Sequence, residues 1–123
     1  MVIPNMSALA LSQAIHSKQV SCREVMLAYI HQIEKHNPGS NAIVSLAPQE
    51  AILAQADERD AQLARGASMG WMHGLPQAVK DLADVQGFRT SKGSALTPLS
   101  PAAQDGLMAA RMRAAGCIMI GKT

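Results

Sequence analysis

The run Cys117-Ile118-Met119-Ile120 most constrains how this chain can fold. Four consecutive apolar residues, two of them β-branched, favour a strand that is buried in the protein interior. Aromatic residues make up only 2% of the 123 residues, so the core around this strand has to consist mainly of aliphatic side chains and methionine. Only three residues follow the run, and we therefore expect the chain to be the truncated first part of a larger domain.

The first half of the chain, residues 1–66, is predicted to be mainly helical. Ser21 and Glu24 form a capping box, in which each side chain binds the backbone N–H of the other residue. Pro38 is expected to stop the helix that the box opens, because proline disfavours the helical conformation of the preceding residue. The predicted elements are a helix over 7–17, a helix from Ser21 to His36, a strand over 41–46 and a helix from Pro48 to Arg65.

The third helix has a composition that predicts which of its faces is buried. Its alanines at 51, 54, 61 and 64 and its leucines at 53 and 63 are expected to pack inward. The charged segment from Asp57 to Asp60 is expected to face solvent, and we do not interpret it as a pair of catalytic carboxylates. Gly66 is expected to end the helix.

The second half, residues 67–123, is predicted to alternate strand, loop, helix and strand. A strand over Gln77–Lys80 follows a turn at Gly74-Leu75-Pro76, and the segment 87–101 is expected to be irregular. Asp105 is expected to cap a helix that continues to Ala115, with Leu107, Met108 and Met112 at its apolar positions. A single α/β domain results, with a sheet flanked by helices.

The charge pattern disfavours several classes of function. The net charge is only +2, and the basic residues are scattered, so neither nucleic acid nor a membrane surface is an expected partner. No stretch approaches the roughly 18 apolar residues of a membrane span. Cys22 and Cys117 lie far apart in the sequence and are expected to be free thiols in a reducing, cytoplasmic compartment.

The segment from Gly116 to Thr123 fits the phosphate-binding pattern G-x-x-x-x-G-K-[ST]. That mechanism needs a flexible loop after a strand, with backbone N–H groups that surround phosphate at the start of a helix. Here the middle of the pattern is apolar, and the predicted helix comes before it. The segment is therefore predicted to be a strand and not a nucleotide site.

The four histidines do not form a ligand set. His31 and His36 are five residues apart, which does not place them on one helical face, and His16 and His73 have no partners at ligand spacing. We expect surface or packing roles for all four. Neither a metal nor a cofactor is predicted.

Lys80 is the strongest candidate for a catalytic residue. It follows the apolar pair Ala78-Val79 at the end of a short strand, and removal from water disfavours the charged form of a lysine. A neutral lysine can act as a general base or as a nucleophile. The residues alone favour the structural alternative, an ion pair with Asp81 or Asp84, and both interpretations stay open.

The amino-acid sequence around Lys80 resembles that of a known protein family. Residues 71–82 resemble the first motif of the amidase signature family, H-G-[ILM]-P-x-A-[VI]-K-D. Residues 87–94 resemble the G-x-x-T-[ST]-x-G-S loop of that family, and residues 105–123 resemble its D-A-x-x-V-x-x-L-R-x-A-G-A-x-x-x-G-K-T segment. The resemblance extends over nearly the whole chain, with three blocks in order.

The resemblance implies a fold, a reaction and a role for Lys80. The family fold is a mixed β-sheet flanked by helices, of which this chain would be the N-terminal part. Lys80 is similar to the lysine of a Ser–Ser–Lys triad, whose serine forms an acyl-enzyme with an amide carbonyl. The implied partner is a small-molecule amide. The oligomeric state stays open, with a homodimer as one alternative.

The two serines of the triad are not assigned in this chain. Ser91 and Ser94 fall in a different loop of the family, and we interpret them as turn formers. The leading hypothesis is a free amidase, which Leu82 after Lys80-Asp81 favours. The alternatives are the amidotransferase subunit that releases ammonia for tRNA-dependent amidation and a non-catalytic remnant that serves as an interaction module.

The 123-residue chain by itself is expected to have no hydrolase activity, because it would supply one third of the triad. A purified sample incubated with a simple aryl amide should release no arylamine above the buffer rate. Measurable turnover that survives repurification would contradict this expectation.

Overall fold

The computed structural model describes residues 2–123, which form helices on a small sheet. A short 3₁₀ helix, Ile3–Asn5, precedes the regular elements. These are α1 (Ala8–His16), α2 (Cys22–Ser40), β1 (Ser45–Leu46), α3 (Gln49–Ala64), β2 (Pro76–Val79), α4 (Leu107–Ala114) and β3 (Ile118–Lys122). None of the helices in this described part is long and apolar enough to cross a membrane.

The sheet has the order β1-β3-β2 and is mixed. β3 runs antiparallel to β1, with Ser45 opposite Lys122, and parallel to β2, with Val79 opposite Lys122. The crossover from β2 to β3 contains the irregular segment and α4. The predicted fold class, a mixed sheet flanked by helices, is confirmed.

Strand β3 separates two apolar clusters. Ile118 and Ile120 belong to the larger cluster, to which α1, α2 and α3 contribute Leu11, Ala14, Ile15, Val25, Met26, Ile30, Ile52 and Ala56. Cys117 and Met119 belong to the smaller cluster with Val79, Val85 and Ala109. Burial of one such side chain contributes about 1.5–3 kcal/mol. The predicted buried strand and its aromatic-poor core are both confirmed, and both cysteines are free and buried.

Helix α2 begins as predicted and ends later than predicted. The Ser21 hydroxyl accepts from Glu24 N–H at 3.0 Å, and the Glu24 carboxylate accepts from Ser21 N–H at 2.8 Å. The helix then continues through Pro38 to Ser40. Proline removes only one backbone donor in the last turn. Beyond the helix end, the Asn37 side chain binds both backbone groups of Ile43, at 2.8 and 3.0 Å.

The buried face of α3 differs from the predicted one. Ile52, Ala56 and Arg59 are buried, whereas the alanines at 51, 54, 61 and 64 are exposed. The spacing of four and then three residues gives one helical stripe. Arg59 is buried against expectation because its Nε donates to the carbonyl of Gly116 at 3.2 Å. Asp60 also faces inward and accepts from the first backbone N–H groups of α2.

Asp105 does not cap α4, which is a correction of the sequence-based prediction. Gly106 is the N-cap residue, and it has no side chain to offer the helix. Asp105 instead accepts from Gln86 N–H at 2.8 Å and pairs with Arg113 at 2.7 Å. The hydrogen bond from Arg113 holds the pKa of Asp105 below its usual value. Leu107 and Met108, which we expected to pack inward, are exposed, and Ala109 is the buried residue of the helix.

The close contact at Gly74 predicts a large effect of an added methyl group. Gly74 has φ +77°, and a Cβ there would overlap the Sγ of Cys22. We expect Gly74→Ala to lower the free energy of unfolding by about 2–4 kcal/mol, because the left-handed backbone and the overlap both cost energy. Urea unfolding monitored by circular dichroism measures the change.

Gly39→Ala is the matched control for this substitution. Gly39 lies in the last turn of α2, and a Cβ there would meet nothing within 4 Å. Alanine should therefore raise the free energy of unfolding by about 0.5 kcal/mol. Equal effects of the two substitutions would contradict the contact described at Gly74.

Candidate functional site

Lys80 lies one residue after β2, at the edge of the sheet where β3 also ends. Two backbone hydrogen bonds fix this edge: Thr123 N–H donates to the Val79 carbonyl at 2.9 Å, and Asp81 N–H donates to the Thr123 carbonyl at 3.0 Å. Ligands of α/β proteins bind outside the carboxyl ends of parallel strands. Lys80 therefore lies at the carboxyl ends of the parallel strands β2 and β3, which is the end of such sheets where ligands bind.

The surroundings of Lys80 differ from both expectations drawn from the residues. Val79 is 1% exposed, but burial ends there, and Lys80 itself is exposed. The prediction that the strand removes the Lys80 amine from water is therefore wrong within the described chain. The alternative ion pair is also absent among residues 2–123, because Asp81 pairs with Lys122 and not with Lys80.

Lys80 lines an open cavity of about 370 Å³ together with Ser91, Lys92, Gly93 and Thr123. Ser91 and Ser94 bound a turn, as predicted, and Ser91 lines this cavity. The Ser91 carbonyl accepts from Ser94 N–H at 2.9 Å, and the Ser91 hydroxyl accepts from Gly93 N–H at 3.3 Å. The Lys80 side chain is therefore exposed on an open cavity and is not enclosed by the described residues.

Asp81, the residue after Lys80, is hydrogen-bonded to Ser91 on the wall of the cavity. Its carboxylate accepts from the Ser91 backbone N–H at 3.0 Å and from the Ser91 hydroxyl at 2.6 Å. These hydrogen bonds, together with the nearby charge of Lys122, hold the pKa of Asp81 well below its usual value. Asp81 is therefore an anion at neutral pH, and its position is fixed.

Lys122 was not predicted as a site residue, and it is the fully buried lysine of this region. Its Nζ donates to the Asp81 carbonyl at 3.0 Å and to the Thr90 hydroxyl at 3.1 Å. The predicted strand over the G-x-x-x-x-G-K-T pattern is confirmed, and Lys122 is part of that strand. The sequence signal for this buried charge was the position of Lys122, which follows the apolar run 117–120 and Gly121. A lysine buried at such a position requires partners for its charge.

The histidines have the packing and surface roles that we expected. His73 is fully buried: its Nδ1 accepts from Met69 N–H at 3.1 Å, so its Nε2 donates to the Arg59 carbonyl at 2.9 Å. Burial lowers the pKa of His73, which keeps this neutral tautomer in place. His16, His31 and His36 are exposed. Residues 2–123 contain no group of three or more potential metal ligands.

The chain belongs to the amidase family. Residues 24–123 match the family model described as Amidase. The chain is also 39% identical, over all 123 residues, to a glutamyl-tRNA(Gln) amidotransferase subunit of Thiobacillus denitrificans. The resemblance drawn from the motifs around Lys80 is thereby confirmed.

Solved structures share the fold of this chain. The peptide amidase of Stenotrophomonas maltophilia superposes with a TM-score of 0.85 at 28% identity, over 97% of this chain and 24% of that one. A fatty acid amide hydrolase gives a TM-score of 0.91 at 24% identity, over 98% of this chain and 21% of that one, which is a likeness of fold. The chain also spans 24% of the length of the Thiobacillus relative.

The anchoring of Asp81 predicts a pH-dependent contribution to stability. A carboxyl group whose pKa is lowered by folding stabilises the fold above its unfolded pKa, about 3.9, and this contribution is lost as the pH falls toward its folded pKa. Asp81→Asn should therefore lower the free energy of unfolding by about 1–3 kcal/mol at pH 7, and the difference from the parent should shrink below about pH 4. Urea unfolding from pH 3 to pH 7 measures it.

Asp57→Asn is the control for this pH series. Asp57 pairs with Arg23 at 2.6 Å, but both side chains are about half exposed. Exposed ion pairs contribute about 0–1 kcal/mol. A pH dependence of Asp81→Asn no larger than that of Asp57→Asn would contradict the anchoring role of Asp81.

Proposed function

We propose that this chain supplies the lysine of a Ser–Ser–Lys centre that hydrolyses amide bonds, with Lys80 as the proton acceptor. Membership of the amidase family supports the reaction class. The observation that carries the residue assignment is the position of Lys80, exposed in an open cavity at the carboxyl edge of the parallel pair β2–β3. Its amine has no ionic partner within the described residues.

The proposed reaction begins with proton transfer. A nucleophilic serine passes its hydroxyl proton through a bridging serine to the unprotonated form of the Lys80 amine, and its oxygen attacks the amide carbonyl carbon. The C–N bond then breaks, the leaving amine takes up the proton, and an acyl-enzyme ester remains. Water attacks this ester with the same base and releases the acid. Ser91 is not proposed as either serine, because its hydroxyl donates to Asp81.

A second candidate is the release of ammonia from glutamine within an amidotransferase. The relative from Thiobacillus denitrificans, and one from Alkaliphilus metalliredigens at 32% identity over 123 residues, are both subunits of glutamyl-tRNA(Gln) amidotransferases. Leu82 favours a free amidase acting on a small amide in the cytoplasm. Copurification with other subunits together with glutaminase activity would identify the amidotransferase, and turnover of simple amides by an isolated homodimer would identify the free amidase.

Replacement of the proposed base predicts loss of the reaction without loss of the fold. In the complete protein that contains this chain, Lys80→Ala should lower kcat for amide hydrolysis by at least about 100-fold, since general bases contribute 10²–10⁴. Because Lys80 is exposed, the circular dichroism spectrum and Tm should stay close to those of the parent.

Lys35→Ala is the control, because Lys35 is an exposed lysine on α2, outside the cavity. This substitution should leave kcat and KM unchanged. Turnover by Lys80→Ala at the rate of the Lys35→Ala control would remove Lys80 from the mechanism. If the Lys80→Ala and Lys35→Ala variants both turned over amides only at the background rate, the hypothesis of a non-catalytic remnant would be favoured.

A further inference from the structure

The ammonium group of Lys122 is surrounded by oxygen atoms. Its Nζ lies 3.0 Å from the Asp81 carbonyl oxygen, 3.1 Å from Thr90 Oγ1, 3.4 Å from the Arg89 carbonyl oxygen and 3.5 Å from Asp81 Oδ1. The residue is 0% exposed. A buried charge is tolerated only when its donors are satisfied. Lys122 therefore binds the segment after Lys80 and the 89–91 loop to the end of β3.

Lys122 also accounts for the absence of an ion pair between Lys80 and Asp81. Asp81 Oδ2 accepts from the Ser91 hydroxyl, and Oδ1 accepts from Ser91 N–H and faces the Lys122 ammonium. Both carboxylate oxygens are thus engaged by groups other than the Lys80 amine. A free carboxylate beside Lys80 would stabilise the protonated amine.

The other charged side chains near Lys122 have different partners. Asp84 Oδ1 accepts from the Thr90 hydroxyl at 2.6 Å. The Arg89 guanidinium donates to the carbonyls of residues 94, 97 and 98, and Lys92 is exposed. Lys122 is therefore the cation that compensates Asp81 among the described residues.

We propose that Lys122 is a positioning residue, whose buried ammonium compensates the Asp81 carboxylate and holds Thr90 and Ser91 against it, so that the Lys80 amine is left free to accept a proton. This proposal rests on the proposed function of Lys80. It assigns to the lysine of the G-K-T pattern an electrostatic role in the amide-hydrolysing centre, in place of phosphate binding.

The test measures Lys80 directly in the 123-residue chain. Trace labelling with acetic anhydride between pH 7 and 11, followed by peptide mass spectrometry, gives the pH at which Lys80 reacts at half its maximal rate. In Lys122→Met the uncompensated Asp81 carboxylate should raise this midpoint by about one pH unit. Lys35, which is exposed on α2, is the internal reference and should not change.

A double-mutant comparison separates this role from a purely structural one. In the Asp81→Asn background there is no carboxylate to compensate, so adding Lys122→Met should leave the Lys80 midpoint where Asp81→Asn alone puts it. Hydrogen exchange at the Ser91 amide should accelerate about tenfold or more in Lys122→Met, because a charge-assisted contact is lost. An unchanged Lys80 midpoint in Lys122→Met would overturn the proposal.

Thr90→Val tests the proposed role of Lys122 if Lys122→Met fails to fold. Valine keeps the shape of threonine but removes one oxygen from the ammonium group, so the Ser91 amide should exchange faster and the Lys80 midpoint should rise by a smaller amount. Parental values of both quantities would overturn the proposal. Labelling requires no turnover, so activity retained by Lys80→Ala would refute the proposed function and leave the result for Lys122 standing separately.

Discussion

Strand β3 is buried on both of its faces, and the arrangement of the other described elements depends on that burial. Ile118 and Ile120 face the three N-terminal helices, while Cys117 and Met119 face the segment with Val85 and Ala109. A strand with apolar residues on both faces needs a layer on each side. The helices before β2 supply one layer, and the crossover from β2 to β3 supplies part of the other.

The same strand places a charge in the interior, and this charge organises the candidate site. Lys122 continues β3 beyond its apolar residues and remains fully buried. A buried ammonium without partners would cost several kcal/mol. The segment after β2 meets this demand with the Asp81 carbonyl and carboxylate, and Thr90 contributes its hydroxyl. Packing of the core and geometry at the cavity are thus linked through one residue.

The sequence predicted the parts of this fold that depend on local chemistry. The capping box of Ser21 and the strand at Ile118–Ile120 are visible in neighbouring residues alone, and both are present. The sequence-based predictions were wrong where a residue distant in the sequence determines the contacts of a side chain. Asp105 has the sequence context of a cap, but Arg113 and Gln86 compete for its carboxylate. Arg59 has the sequence context of a surface residue, but the Gly116 carbonyl, 57 positions away, gives it a buried partner.

The candidate site shows the same division between local and distant information. Motif resemblance singled out Lys80, because that resemblance depends on neighbouring residues. The ionic partner of Asp81 could not be found in this way, since two lysines compete for it: Lys80 is adjacent in sequence, while Lys122 is 41 positions away and holds the carboxylate. Adjacency favours the Lys80–Asp81 pair, but the register of the parallel strands brings Lys122 opposite Val79 and so beside Asp81. Burial then decides between them, because the lysine without access to water has the greater need of the carboxylate. The exposed lysine, Lys80, is left without an ionic partner among residues 2–123.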